Sequence, residues 1–392
     1  MNVKMRIMAA ALCSFACFSV VLAPAAAAHN NSKSSAPQKP EKGKPAPPAP
    51  PVQSDIYDAL GLVKRNARLT TLAEGFSFTE GPAVDRHGNV YFTDQPNDRI
   101  YRWDARKNTV KLFLEGTGRS NGMAIDRDGN IIACADMYGE LWKIYPDGRH
   151  EVLVDNYQGK KLNGPNDVWI NPVNGGIYIT DPIFPRDYWE DDDPRQQGWE
   201  PTHSEQAAQG KGGYVYYLAP GKRELVRVTT EAMGWESDAW PNGVVGTPDG
   251  KKLYVNKWYY DNKGGTWVFD IKPDGRLSNM RKFTDWGGDG MSMDERGNIY
   301  ISNGEGVLAF DPRGNNILKI AIPGGATNNT FAGPNGKTLF ITGPVDKVTS
   351  IEMNVKGAPE RANAPPGHAH GNGHGNGHGP GHGNKPHEHC DD

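Results

Sequence analysis

The sequence predicts an all-β chain folded as a six-bladed β-propeller. Three observations carry that expectation. One strand–turn–strand pattern recurs six times. Apolar residues alternate along these segments instead of returning at the 3.6-residue spacing of a helix. The 392 residues include 48 glycines and 30 prolines, a composition that punctuates short strands and breaks long helices.

The six copies read "GPAVDRHGNVYFTD" (81–94), "GMAIDRDGNIIACAD" (122–136), "NDVWINPVNGGIYITD" (166–181), "NGVVGTPDGKKLYVNK" (242–257), "GMSMDERGNIYISN" (290–303) and "TFAGPNGKTLFITG" (330–343). Each is two β runs joined by a turn with Asp or Pro and then Gly, the signature of a hairpin. Further hairpins fill the gaps, such as "RIYRWD" with "TVKLFLE" and "LWKIYPDG" with "HEVLVD". From Gly88 through Gly129, Gly175, Gly250 and Gly297 to Gly336 the steps are 41, 46, 75, 47 and 39 residues. Repeats of this length with four short strands each define propeller blades. The long step holds an insertion, residues 184–211, rich in acids and aromatics and without a strand pattern. A loop of that length in a compact domain is usually functional or disordered, and it reads as a lid over the channel mouth.

The ends of the chain differ in kind from its middle. Residues 1–28 carry Lys4 and Arg6, an apolar run and then Ala25–Ala28, the pattern of a secretory signal peptide. Residues 29–54 are a Pro/Ala/Lys linker with little to bury. The propeller is expected over 55–356, and residues 357–392 form a Gly/His-rich tail. His368, His370, His374, His378, His382, His387 and His389 in that tail, with Cys390, suit transition-metal ions. Cys134 is the one cysteine between 55 and 356, so this is no disulfide scaffold. A net charge of −3 argues against nucleic-acid and membrane-surface partners. The chain is therefore expected to be secreted or periplasmic, free of the membrane once the leader is removed.

In a propeller the innermost strand of each blade lines the central channel, and the residues just before it ring one mouth. Those residues are Glu80, Asn121, Asn166, Asn242, Asp289, and Asn328 or Asn329. Every blade offers an acid or an amide. Oxygen donors without Cys or His suit a hard divalent cation, calcium before zinc, with magnesium and manganese as further options. Turn chemistry alone accounts for Asn and Asp at a strand start, but not for Glu80.

With these residues in view, the chain resembles the SMP-30/gluconolactonase family, also called regucalcin-like, and most closely its bacterial and fungal gluconolactonase branch. "FTEGPAVD", "GRSNGMAIDRDGN", "KKLNGPNDVWI", "YITDP", "WPNGVV" and "GDGMSMDERGNIYIS" occur in order and carry the resemblance. It implies a six-bladed propeller with one divalent ion at the channel mouth, held by Glu80, Asn166, Asn242 and Asp289. Relatives often carry a substrate-binding Arg two positions before the first ligand Asn, where this chain has Gly164. After the cysteine of the second blade, the branch's acid and His are replaced by Ala135 and Asp136.

The expected activity is metal-dependent hydrolysis of a sugar-type lactone, with the cation polarising the carbonyl for attack by water. Asp289 is the first candidate for the base and Asp167 the second. Arg119 and Asn121 are candidates for binding substrate hydroxyls, and Trp189, with Tyr188 and Trp199, for covering the ring. The alternatives are a calcium-dependent propeller hydrolase of aryl or phosphorus esters, and a non-catalytic propeller that binds a ligand and metal ions. Converging carboxylates in the channel favour an enzyme, because fold alone does not.

Overall fold

A computed structural model describes residues 56–182, 184, 213–235, 239–258, 264–343 and 346–358. Two strands come first, β1 (Ile56–Asp58) and β2 (Thr70–Glu74). Blade 1 is β3 (Thr79–Val84), β4 (Val90–Asp94), β5 (Arg99–Asp104) and β6 (Thr109–Glu115). Blade 2 is β7 (Met123–Ile125), β8 (Ile131–Ala135), β9 (Glu140–Ile144) and β10 (His150–Val154). Blade 3 is β11 (Val168–Ile170), β12 (Ile177–Asp181), β13 (Tyr214–Leu218) and β14 (Leu225–Arg227). Blade 4 is β15 (Trp240–Gly246), β16 (Lys252–Trp258), β17 (Gly265–Ile271) and β18 (Leu277–Thr284). Blade 5 contains β19 (Met291–Met293), β20 (Ile299–Asn303), β21 (Gly306–Phe310) and β22 (Asn316–Ala321). Blade 6 contains β23 (Asn329–Ala332), β24 (Thr338–Ile341) and β25 (Lys347–Glu352). Neighbouring strands within each blade are antiparallel, and the fold is the six-bladed propeller expected.

The blades are not all alike. The sixth copy supplies three strands, which leaves β25 with an unpaired edge. The N-terminal β2 fills that edge, pairing Thr70 with Ser350 and Glu74 with Lys347, and so ties the two ends of the propeller together. The N-terminal β1 adds a fifth strand to blade 5, Ile56 opposite Ile320. Asp58 then folds the chain back, accepting hydrogen bonds from Leu62 N (2.9 Å) and Val63 N (2.8 Å).

The recurring Asp-x-x-Gly-Asn turn has a direct physical reason. Asp85 accepts from His87 N (2.8 Å) and Asn89 N (3.0 Å), and Gly88 supplies the positive φ (81°) that the turn requires. Asp126 makes the same bonds to Asp128 N and Asn130 N, and Asp294 to Arg296 N and Asn298 N. These turns close one end of the channel. The starts of the inner strands therefore gather at the other end.

Apolar side chains pack in wedges between blades. At the seam of blades 6 and 1, Phe340 is fully buried against Phe92 (5.5 Å between ring centres) and Trp103 (5.6 Å). Phe340→Ala is expected to cost about 3–5 kcal/mol in equilibrium denaturation. The exposed Leu112→Ala should stay within about 0.5 kcal/mol of wild type. Equal losses for the two would mean that this seam contributes no more than surface.

Candidate functional site

The backbone defines the ring of strand starts. In blade 2, Asn121 N donates to Cys134 O (2.9 Å) and Cys134 N to Gly122 O (3.0 Å). The same pair of bonds recurs for Asn166 and Asp167 with Thr180, for Asp289 and Gly290 with Ser302, and for Thr327 and Asn328 with Thr342. A second set of bonds joins blade to blade. Gly122 N donates to Asn166 O (2.6 Å), Gly243 N to Asp289 O (3.1 Å) and Gly290 N to Thr327 O (2.7 Å). Glu80 pairs with Thr93, and a Cβ on Gly81 would lie 2.1 Å from Asn121 O. The ring is thus Glu80, Asn121, Asn166, Asn242, Asp289 and Thr327.

This corrects the sixth position, expected to be Asn328 or Asn329. In "TNNTF" three polar residues stand in a row, and only strand register decides among them. Thr327 takes the place, and its hydroxyl lies 2.6 Å from Thr79 O and 2.9 Å from Thr342 Oγ1. Asn328 instead occupies the following position, which is glycine in blades 1, 2, 4 and 5 and Asp167 in blade 3. Asp167 and Asn328 therefore hold equivalent positions in blades 3 and 6, and both line the channel. Each lies over a neighbouring glycine. A Cβ at Gly122 would be 2.4 Å from Asp167 Oδ1, and one at Gly290 would be 1.8 Å from Asn328 Cγ. Asn329 turns aside, with Nδ2 donating to Ser302 Oγ (2.9 Å).

Glu80 is the electrostatic centre of the ring. Its Oε2 accepts from Gly81 N (2.6 Å) and Asn328 Nδ2 (2.9 Å). Its Oε1 is buried and, among the described residues, has no hydrogen-bond partner. Burial, then the charges of Asp289 and Asp167, hold its carboxyl well above the usual range. Asp167 is pushed up to about 7 by burial, although Oδ1 accepts from Val168 N (2.9 Å) and Oδ2 from Val244 N (3.1 Å). Asp289 is half-buried, and its carbonyl accepts from Asn256 Nδ2 (2.6 Å). Asn121, Asn166 and Asn242 are buried.

An orphaned carboxylate oxygen inside a cluster of like charges is unfavourable, and a bound cation relieves both penalties at once. The donor set fits a hard divalent ion: Glu80 and Asp289 supply carboxylates, Asn166 and Asn242 supply amides. Among the described residues no group of three or more His, Cys, Asp or Glu side chains is placed to hold a metal, so a cation here needs those amides.

The remaining candidates lie around this centre. Arg119 has a left-handed backbone (φ 49°), held by Asp98 Oδ1 accepting from its N–H (2.7 Å). Its Nη2 donates to Pro96 O (3.2 Å), which turns it towards blade 1. Trp189 and the tail residues His368, His370, His374, His378, His382, His387 and His389 lie outside the described residues, as do most of 184–211. The residues that flank that insertion, Asp181 and Gly213, are on the ring's face, where Phe184 packs edge-on against Trp240 (5.2 Å) beside Asn242.

Two buried acids, Asp94 and Asp181, escaped sequence reasoning, and the part played by a third, Asp136, did too. Asp94 accepts from Ser77 N and Phe78 N, and Asp181 from Asn163 N and Gly164 N, so each clamps the loop leading into its ring residue. The closing Asp of "YFTD" and "YITD" was their signal. Asp136 instead accepts from Gln95 Nε2 (2.7 Å), and a Cβ at Gly164 would be 2.3 Å from its Oδ1. Gly164 is thus matched to Asp136. Below the ring the channel opens into a cavity of about 340 Å³, running from Asp167 and Asn328 to the turns at Asp85–Gly88.

Fold and site together define a six-bladed propeller with an oxygen-donor ring at one channel mouth. Residues 78–343 match the SMP-30/Gluconolactonase/LRE-like region, and the chain belongs to that family. It is 28% identical over 302 residues to the gluconolactonase of Zymomonas mobilis subsp. mobilis, covering 70% of this chain and 78% of that one. A solved gluconolactonase from Xanthomonas campestris superposes with a TM-score of 0.65 at 30% identity, covering 79% of this chain and 99% of that one. A calcium-binding regucalcin structure from Agrobacterium tumefaciens, at 19% identity and a TM-score of 0.55, covering 73% of this chain and 94% of that one, agrees in fold.

Proposed function

We propose that the protein is a divalent-cation-dependent lactonase that opens a sugar-type lactone to its hydroxy acid. The observation that carries this reading is the partnerless Glu80 Oε1, buried among Asp289, Asp167 and the ring amides. Kinship with gluconolactonases supports the substrate class. Glu80, Asn166, Asn242 and Asp289 would hold the ion, with calcium the best match to their oxygens. A cation there supplies a Lewis acid for the lactone carbonyl.

The chain's own residues supply the rest. Asp289, the more exposed carboxylate, takes the proton of the water that attacks the carbonyl carbon. The ring C–O bond then breaks, and the proton passes to the departing ring oxygen. Asp167 has both oxygens engaged by backbone N–H groups, so it fixes Asn166 and the inner strand of blade 4. Asn121 and Arg119 are assigned to the substrate's hydroxyls, Arg119 by leaving its bond to Pro96 O. The leader pattern of residues 1–28 supports action outside the cytoplasm, and the tail histidines support a separate store of transition metal.

The test strips metal from the purified mature protein and adds back calcium, magnesium, manganese or zinc singly. Substrates are glucono-1,5-lactone, a simple γ-lactone and an aryl ester. Hydrolysis of the gluconolactone should vanish with chelator and return with calcium. A chain lacking 364–392 should behave alike but lose its affinity for nickel resin. Undiminished turnover in metal-free protein would remove the cation from the reaction, and preference for the aryl ester would change the substrate class.

A further inference from the structure

Trp286 is a large apolar side chain with no evident structural duty. It is 42% exposed, and among the described residues its indole has no ring or hydrogen-bond partner. By contrast, the indoles of Trp103, Trp142 and Trp235 each donate to a partner. Trp286 lies in the connection from β18 to β19, on the ring's face, three residues before Asp289.

The backbone between them is tightly fixed. Thr266 Oγ1 is within donating distance of both Trp286 O (2.8 Å) and Asn256 Oδ1 (2.7 Å), and Asn256 Nδ2 donates to Asp289 O (2.6 Å). One buried pair therefore pins both ends of the segment. Gly287 and Gly288 lie flush on neighbouring strands. A Cβ on Gly287 would be 2.8 Å from Lys257 O, and one on Gly288 would be 2.3 Å from Ser302 O. The two residues between the candidate ligand and Trp286 are both glycines, so neither adds a side chain to the segment. An extended segment of three residues spans at most about 10 Å, which is the reach of two linked sugar rings.

We propose that Trp286 forms an outer subsite for lactones that carry a second ring. The substrate class is the lactone of an oxidised disaccharide. Its lactone ring lies at Asp289, and the apolar C–H face of the second sugar stacks on the indole. The proposal rests on the lactonase reading above and adds a preference for the longer substrate. An aromatic side chain has only two side-chain torsions to lose on binding and gives stacking beyond simple area.

The test compares kcat/KM for cellobiono-1,5-lactone and glucono-1,5-lactone in the metal-loaded protein. Wild type, Trp286→Ala and Trp286→Phe are assayed, with calorimetric binding of cellobionate and gluconate alongside. The preference for the disaccharide lactone should fall about 5- to 10-fold in Trp286→Ala, through KM and not kcat, and Trp286→Phe should restore most of it. An unchanged preference, or an equal fall for both lactones, overturns the subsite. If wild type hydrolyses neither lactone, the lactonase reading fails separately, and calorimetry judges the subsite. Cellobionate binding weakened in Trp286→Ala would keep it, and equal binding would overturn it.

Discussion

Asp289→Ala is expected to lower lactone hydrolysis by at least about 100- to 1000-fold, the range seen when a group that stabilises developing charge is removed. The reason is local. Asp289 is half-exposed at the mouth, its backbone is held from blades 4 and 5, and its charge is felt at Glu80. The fold should survive, because Asp289 N donates to Ser302 O and its carbonyl accepts from Gly243 N and Asn256 Nδ2, main-chain bonds that alanine keeps. Circular dichroism and thermal unfolding check that part, and calorimetric titration with calcium checks the cation. Weakened binding with lost turnover is the expected pair of results. Full turnover with alanine at 289 would sink the role given to this carboxylate.

The second large effect is a reversal of ordinary acid behaviour in the cation-free protein. Glu80 is held above its usual range, and Asp167 and Asp181 are pushed up to about 7. Unfolded, such carboxyls titrate near pH 4. Between about pH 4 and pH 7 the folded state therefore binds more protons than the unfolded state, and these three groups lower stability as pH rises through that window. On the proposed function, a cation at the ring would take over from the protons on the cluster. The rise in Tm on adding calcium should therefore be small at pH 5 and grow towards pH 8. A calcium effect that is flat with pH would show that the buried carboxylates are not what the ion relieves.

The propeller was legible because its signal is local and repeated. An Asp that caps its own turn and a Gly that completes it mark each inner hairpin, as at Asp85 and Gly88. Glu80 was legible because no turn needs a glutamate there. The sixth ring position was not, because Thr327, Asn328 and Asn329 are alike in polarity and only pairing with Thr342 separates them. Long-range fits were equally hidden. Nothing in "SNGMA" says that Gly122 leaves room for Asp167, and nothing in "KLNGP" says that Gly164 backs onto Asp136. Nor did the unremarkable "TTLAE" announce that it completes the last blade.

That completing strand sets a clock on biosynthesis. Thr70 pairs with Ser350, 280 residues further along the chain. At a synthesis rate of about 5–20 residues per second, β2 waits roughly 14–56 s before its partner exists. Until then five blades can form hairpin by hairpin, but the circle cannot shut and the strand edges at the opening stay bare. The slow, concentration-sensitive part of this protein's life is therefore not the making of any blade. It is the interval in which β2 is finished and β25 has yet to be made.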